Sequence, residues 1–369
     1  MAKFDAVFEG GGAKGVAFVG SLEVLKQHGH TLRRYIGTSA GAITATLLAA
    51  GYTTQEMMDA VMERLPNGTP RFSSFMDIPS ADSFSESVRE NSLTMTALKE
   101  VDLPLVPAAF EGRIETELLD RLLHNSIYAR LFSFIECGGY YSGQTFLAWL
   151  REKFAAKGIL ATDTLADFAR KTGSDLSVVA SDTTDMEMLV LNHRTAPGVP
   201  AANAVRMSMS IPFVWEEVVW PAEWGLYMGR EKTGNVIVDG GVLSNFPIRL
   251  IADGDDEIRT VMGDTDPAGA ANLGFMIDES LPVPGAPNTA KTPLPVTRVR
   301  TVQRLSRLLE TMTGAADNDE IRRHSSEICR LPAKGYGTLE FDMQGPRLDT
   351  YLAAARAAME SHLAQRHLV

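Results

Sequence analysis

The stretch Tyr35-Ile36-Gly37-Thr38-Ser39-Ala40-Gly41-Ala42 decides the fold that the sequence predicts. It reads as a short strand, a Gly-x-Ser-x-Gly turn and the start of a helix of small apolar residues. In such a turn the serine sits between strand and helix, and the flanking glycines leave room for a sharp bend. The pattern predicts that Ser39 is a nucleophile, held clear of the backbone near the positive end of the helix dipole.

A glycine-rich turn follows the first predicted strand and reads Gly10-Gly11-Gly12-Ala13-Lys14-Gly15. Glycine backbones can present N–H groups to a phosphate or to an oxyanion. The spacing also fits a dinucleotide-binding loop, which expects an acidic residue about 20 positions later at the end of the second strand. That strand ends in the serine turn and has no acid there. We therefore favour an oxyanion hole, with a nucleotide-binding module as the alternative.

A third short motif, Asp239-Gly240-Gly241, ends a predicted strand over residues 235–239. An aspartate followed by two glycines can approach a hydroxyl that a bulkier neighbour would block. A serine hydroxyl needs a base within hydrogen-bond reach. An aspartate, with a reference pKa of about 3.9, can serve only where burial raises that pKa. If Asp239 is the base, the site must be shielded from water. The alternative is that Asp239 only caps the next helix.

Histidine is the more usual partner of a catalytic serine. The mid-chain candidates are His193 and His324, and neither lies in a glycine-framed loop. A histidine-assisted serine esterase or thioesterase is therefore the second enzyme hypothesis.

Composition bounds the remaining classes of function. The chain has 369 residues, 45% of them hydrophobic, and no linker divides it, so we expect one elaborated catalytic domain over residues 1–369. A formal charge of -11 argues against nucleic acid as a partner but leaves open transient contact with a membrane surface. Two cysteines and the absence of a signal-like or spanning apolar run predict a soluble, cytoplasmic protein. The oligomeric state is not readable.

Two segments depart from the α/β pattern. Residues 51–137 combine amphipathic helices with polar loops and group several Met and Phe side chains, which suggests an insertion that acts as a lid over an apolar ligand. The alternative is that these side chains fill a local core. Residues 281–296 contain five prolines and are predicted to form an exposed loop. An acidic cluster at residues 253–257 lacks the spacing of a calcium loop, so no metal site is expected.

The rest of the chain is assigned from its periodicity. The pattern predicts strands over residues 175–181, 186–192, 257–262, 272–277 and 337–341, and helices over residues 114–127, 202–210, 298–313, 317–330 and 349–367.

Taken in order, the three motifs resemble those of the patatin-like phospholipase family, a group of lipid acyl hydrolases. Ser208-Met209-Ser210-Ile211-Pro212 and residues 337–342 add to the resemblance, which spans nearly all of the chain. It implies a three-layer αβα fold around a mostly parallel central sheet. It also implies a hydrolase of phospholipase A or lysophospholipase type that needs no cofactor and cleaves ester bonds of phospholipids or other acyl lipids through an acyl-enzyme.

The resemblance assigns roles to individual residues. It makes Ser39 the nucleophile and Asp239 the base of a Ser-Asp dyad, and it places Lys14 where the family carries a basic residue. The oxyanion would be bound by N–H groups of the first glycine loop, which are those of Gly10, Gly11, Gly12 and Ala13, chiefly Gly11 and Gly12. The motifs are completed by Gly15, Gly37, Gly41, Gly240 and Gly241, the last standing where many members have alanine. A further alternative is a patatin-like effector that stays inactive until a ligand or partner opens the lid.

Overall fold

The computed structural model describes residues 1–100, 108–264, 269–286, 317–338, 340 and 342–369, with residues 108–113 described by their backbone alone. The strands are β1 (Lys3–Phe8), β2 (Thr31–Thr38), β3 (Gly139–Tyr141), β4 (Asp175–Asp182), β5 (Glu187–Leu191), β6 (Phe213–Trp215), β7 (Val218–Val219), β8 (Val236–Asp239), β9 (Ala271–Pro282) and β10 (Ile328–Lys334).

The helices are α1 (Ala17–Gln27), α2 (Ala40–Ala49), α3 (Thr54–Met62), α4 (Glu86–Glu90), α5 (Leu93–Lys99), α6 (Ala108–Leu123), α7 (Ser126–Glu136), α8 (Gln144–Ala156), α9 (Leu165–Thr172), α10 (Ala201–Ser208), α11 (Arg249–Ala252), α12 (Asp256–Met262), α13 (residues 317–323) and α14 (Gly345–Gln365).

The central sheet has eight strands, and its parallel part runs in the order β10-β9-β1-β2-β4. β5, β7 and β8 add antiparallel pairings at the far side. Helices cover both faces, so side chains of β1 alternate between two cores. Phe4 and Phe8 face a large core with α1, α2, α8 and α14, whereas Val7 faces a smaller core with α11, α12 and α13. The predicted three-layer αβα fold with a mostly parallel sheet is confirmed.

Two strands run toward each other along one edge of β4. β2 is parallel to β4, and its last residue, Thr38, lies opposite Val179. β8 is antiparallel to β4, and its last residue, Asp239, lies opposite Ala180. β5 occupies an edge of β4 over these same residues. Because a strand has only two edges, β2 and β8 share the other one, and their carboxyl ends meet there.

The predicted insertion over residues 51–137 contains α3 to α7 and packs in two parts. Its first part joins the large core, where Phe75 contacts Phe146 and Trp149 with ring centroids 5.4 and 5.2 Å apart. Its second part has a small core of its own, formed by Ala81, Phe84, Met95, Leu119, Leu123, Ala129 and Phe132. The predicted single domain over residues 1–369, and the lid role of this segment with opening by a ligand or partner, stay predictions.

Three predicted elements are wrong, and in two of them a local cap overrides the periodicity. The helix expected over residues 114–127 is divided between α6 and α7, since the Asn125 side chain accepts from the N–H groups of Ile127 and Tyr128. Residues 257–262 belong to helix α12 and not to a strand, because Asp255 caps the N–H of Ile258. The helix expected over residues 317–330 stops at residue 323, and β10 follows.

The C-terminal third holds the other differences. β9 continues to Pro282, so the predicted loop over residues 281–296 begins as strand, and residues 287–296 lie outside the described part of the chain. The helix expected over residues 298–313 also lies outside it. The described residues 337, 338 and 340 form no strand. No helix in the described ranges combines the length and apolarity needed to cross a membrane.

The serine turn depends on backbones that touch. A Cβ on Gly41 would lie 2.1 Å from the carbonyl oxygen of Phe8, whereas a Cβ on Gly254 would meet nothing within 4 Å. Because the Phe8 backbone belongs to the central strand, we expect Gly41→Ala to lower the free energy of unfolding by about 3 kcal/mol. We expect Gly254→Ala to change it by less than about 0.5 kcal/mol. Urea unfolding of both variants measures this, and equal stabilities would contradict it.

Candidate active site

The backbone of Ser39 is strained in the way that a nucleophile turn requires. Its φ of 54° and ψ of -120° place a non-glycine residue in a sparsely populated region, which costs about 1–3 kcal/mol. Ser39 lies directly before α2, so the free N–H groups of the first helical turn point toward it. The residue is 5% exposed. The surrounding packing therefore holds the side chain in a defined place despite the strain.

Asp239 meets Ser39 because β2 and β8 end against the same stretch of β4. The turn after Asp239 lies close over that strand, since a Cβ on Gly240 would be 2.4 Å from the carbonyl oxygen of Val179 and 3.0 Å from Cγ2 of Thr38. Glycine is the residue that fits there. The two motifs, which are 200 positions apart in the sequence, are thus joined through one strand.

The two carboxylate oxygens of Asp239 have different surroundings. Oδ1 accepts from the N–H of Gly241 at 2.7 Å. Oδ2 is buried and has no hydrogen-bond partner among the described residues. The Ser39 hydroxyl is near enough to lower the pKa of this carboxyl, although it falls short of full hydrogen-bond geometry. Burial is the larger effect and raises the pKa of Asp239 to about 7. A carboxyl in this state can exchange a proton near neutral pH.

The first glycine loop offers fewer donors than the motif predicts. The N–H of Gly10 donates to the carbonyl of Asn245 at 3.0 Å, and that of Ala13 donates to the carbonyl of Thr338 at 2.7 Å. Gly10 and Ala13 are therefore not available as oxyanion donors in this structure. The N–H groups of Gly11 and Gly12 have no acceptor within the described ranges. The loss of two donors also weakens the alternative of a phosphate-binding loop.

Two cavities meet at Ser39. One is narrow, about 100 Å³, and apolar; its walls include Ile43, Leu47, Val61, Phe72, Trp149 and Met209. The other is open, about 510 Å³, and more polar; its walls include Glu9, Gly11, Lys14, Asp239, Asn245 and Asp317. A molecule with an alkyl chain and a polar end fits this pair of cavities, with its junction at the serine.

Glu9 is a half-buried acid that directly precedes the glycine loop. It accepts from the side-chain amide of Asn245 at 3.1 Å and from the N–H of Ile277. Although Glu9 keeps some accessible surface, loss of solvation raises its pKa to about 8. The protonated form of Glu9 is therefore well populated near neutral pH, which limits negative charge beside the loop.

Lys14 lies in the wall of the polar cavity with a buried side chain and forms an ion pair with Glu279 of β9. Its carbonyl accepts from the Tyr351 hydroxyl of α14 at 3.1 Å. Both contacts tie the glycine loop to neighbouring elements. His193 and His324 line neither cavity, so the structure does not bring either histidine to Ser39.

Sequence reasoning did not identify Glu9, Asn245 or Asp317. Asp317 accepts from the Ser244 hydroxyl and from the N–H groups of Asn245 and Phe246 at 2.8 to 2.9 Å, and thereby holds the chain that follows Asp239. An acidic residue at the end of a predicted strand, directly before a glycine motif, was the available signal for Glu9. Asp317 lies more than 70 positions from its partners, and a local sequence pattern does not predict such a contact.

Within the described part of the chain, two groups of acidic or histidine side chains lie close enough together to be considered as metal ligands. In the first, Asp182, Asp185 and Glu187 surround the buried ammonium of Lys232, which bonds to all three carboxylates. A cation is thus already supplied by the protein. The second, Asp253 with Glu320 and His324, is partly exposed and adjoins Arg249. Neither group touches the Ser39 site.

Comparison with known proteins agrees with these features. The family model described as Patatin-like phospholipase matches residues 6–252. YqhO of Bacillus subtilis (strain 168), an uncharacterized protein, is 33% identical over 267 residues, which cover 71% of this chain and 70% of YqhO.

Two more distant similarities were found. The probable lipid hydrolase 463L of Invertebrate iridescent virus 6 is 23% identical over 244 residues, which are 66% of this chain and 61% of the viral protein, less than two thirds of its length. Among solved structures, VipD from Legionella pneumophila superposes with a TM-score of 0.46 at 17% identity, covering 98% of this chain and 67% of VipD.

The raised pKa of Asp239 makes stability depend on pH. Between about pH 4, where the unfolded chain releases this proton, and about pH 7, where the folded protein does, each pH unit lowers the free energy of unfolding by about 1.4 kcal/mol. The stabilisation is complete below this window and lost above it.

We expect Asp239→Asn not to show this pH-dependent loss of stability. Its free energy of unfolding relative to that of the native protein should therefore increase by about 2 kcal/mol between about pH 5 and about pH 7. Urea unfolding at both pH values tests this; a difference that does not change with pH would contradict it. Glu9 is present in both proteins, so its own pH-dependent contribution to stability cancels in the comparison.

Proposed function

The chain belongs to the patatin-like phospholipase family, and we propose that it is a serine lipid acyl hydrolase of phospholipase A or lysophospholipase type. The observation that carries the proposal is the buried carboxyl of Asp239 at the junction of an apolar and a polar cavity. Its Oδ2 has no hydrogen-bond partner among the described residues, and the nearby Ser39 hydroxyl lowers its pKa. Family membership supports lipid hydrolysis in general; the dyad, the ester bond and the phospholipid substrate are the proposal.

In the proposed first step, Oγ of Ser39 attacks the ester carbonyl of the lipid while Oδ2 of Asp239 takes the hydroxyl proton. The carbonyl oxygen gains negative charge and accepts from the N–H groups of Gly11 and Gly12. A donor of this kind is worth about 3 kcal/mol in comparable sites. Asp239 then gives the proton to the leaving alcohol, and the acyl group stays on Ser39.

In the second step Asp239 takes a proton from the water molecule that attacks the acyl-enzyme. It returns this proton to Oγ of Ser39 as the bond to the acyl group breaks, and the fatty acid leaves. A base with a pKa near 7 suits both steps, because it is ionised in a good fraction of molecules and still holds a proton well enough to pass it on. The acyl chain would lie in the apolar cavity, where each buried methylene contributes about 0.8 kcal/mol. The polar leaving group would lie in the open cavity near Asn245.

The first test replaces the two dyad residues. We expect Ser39→Ala and Asp239→Asn each to lower kcat on short-chain esters and on phospholipid vesicles by at least about 10³-fold, because neither variant can generate the alkoxide. A fluorophosphonate should label Ser39 of the native protein and label it more slowly in Asp239→Asn. Asp256→Asn, a change at a fully accessible site on α12, is the matched control. Full hydrolysis by Ser39→Ala would overturn the proposed function.

The second test is the pH profile of kcat/KM. Activity should rise as Asp239 ionises, through about pH 7, and fall as Glu9 ionises, through about pH 8, because a negative charge next to the glycine loop opposes the oxyanion. Glu9→Gln keeps an acceptor for Asn245 and cannot ionise. We expect this variant to retain the acidic limb and lose the alkaline one. An unchanged alkaline limb would rule out this role for Glu9.

A further inference from the structure

We propose that Ser208 is a positioning residue for this reaction: its hydroxyl fixes the backbone of Ser39 against β4, while the neighbouring Ser210 carbonyl fixes that of Asp239. Ser208 ends α10 and belongs to the segment Ser208-Met209-Ser210-Ile211-Pro212, to which the mechanism above gives no task. The inference rests on the proposed function, since it concerns the rate of that chemistry.

The meeting of β2 and β8 leaves backbone donors that the sheet does not pair. Both strands end against β4, so the N–H groups at their ends must bond elsewhere or stay unsatisfied in a dry region. The N–H of Ser39 donates to Oγ of Ser208 at 2.9 Å. The N–H of Asp239 donates to the carbonyl of Ser210 at 2.9 Å. One short turn thus satisfies one donor of each dyad residue.

The Ser208 hydroxyl also reaches the strand between the two ends. It donates to the carbonyl of Val179 at 2.5 Å while it accepts from Ser39. That carbonyl is the one over which Gly240 passes. Ser208 has no exposed surface, so water from bulk solvent cannot directly replace its hydroxyl as a hydrogen-bond partner. A hydroxyl can donate and accept at once, which a methyl group in its place cannot do.

The turn is itself held from behind by Arg206. This buried guanidinium donates to the carbonyls of Ser142 and Glu216 at 2.8 and 2.9 Å and to the hydroxyl of Ser210. The burial lowers the pKa of Arg206 to about 10, which leaves it charged near neutral pH. Because Arg206 holds the turn in place, the turn can fix the distance between the backbones of Ser39 and Asp239.

This spacing matters because Ser39 is strained. Without an acceptor for its N–H, the turn at Ser39 can relax from its unusual φ and rotate Oγ away from Oδ2 of Asp239. A misplacement of about 1 Å can cost about 10²-fold in rate. The cavities that bind the lipid are not formed by the Ser208 hydroxyl. The loss should therefore fall on kcat and not on KM.

The test compares two deletions of a fully buried serine hydroxyl. Ser208→Ala is expected to lower kcat by about tenfold or more with KM within about twofold, and to slow fluorophosphonate labelling equally. Ser21→Ala is the control, because the Ser21 hydroxyl bonds only within α1, to the carbonyls of Phe18 and Ala17. It should leave kcat unchanged. If Ser208→Ala does not fold, Ser208→Cys, with a similar size but a weak donor and acceptor, should show the same loss.

Hydrogen exchange of the Ser39 amide gives a readout that needs no activity. It should be faster in Ser208→Ala than in Ser21→Ala, because only the first variant removes its acceptor. Equal exchange in the two variants, or equal kcat, would overturn the proposal and leave the proposed function intact. If the native protein hydrolyses no lipid and Ser39 takes no label, the proposed function fails, and the exchange experiment still decides the contact.

Discussion

The shared edge of β4 is the constraint on which the rest of this structure depends. A parallel strand and an antiparallel strand approach along it from opposite ends, and each delivers one reactive side chain where they meet. This meeting of the two strand ends brings Ser39 to Asp239. The glycines after Asp239 and around Ser39 let the two turns fit into the small space that remains. With helices on both faces of the sheet, Ser39 and Asp239 are only 5% and 4% exposed.

Burial of carboxyl groups at the site affects both their pKa values and the stability of the protein. The same loss of solvation that raises the pKa of Asp239 also acts on Glu9, on the other side of the glycine loop. Two carboxyl groups with raised pKa values therefore line the same polar cavity. Strain at Ser39 and a buried oxygen without a partner are further costs at the same point, as is common where function competes with stability.

Local signals carried the prediction as far as the motifs themselves. Ser39, Asp239 and the glycine loop were recognisable because each turn needs particular residues at fixed offsets. The engagement of Gly10 by Asn245, and of Ala13 by Thr338, was not, because the partners lie hundreds of positions away. Caps at Asn125 and Asp255 likewise redirected elements whose apolar spacing is ambiguous. The layers of the sheet follow from hydrophobic pattern, whereas the pairing of β8 with β4 is a long-range choice.

The insertion contributes to two separate cores, and only one of them adjoins the cavity at Ser39. Phe75 belongs to the main core and lines the apolar cavity at Ser39, whereas Phe84 and Phe132 belong to the separate core of the outer helices. Substitutions within this outer core therefore require no repacking of the side chains that line the apolar cavity. The outer core is thus a part of the chain where apolar residues can be exchanged for others of similar volume at little cost to the shape of the site.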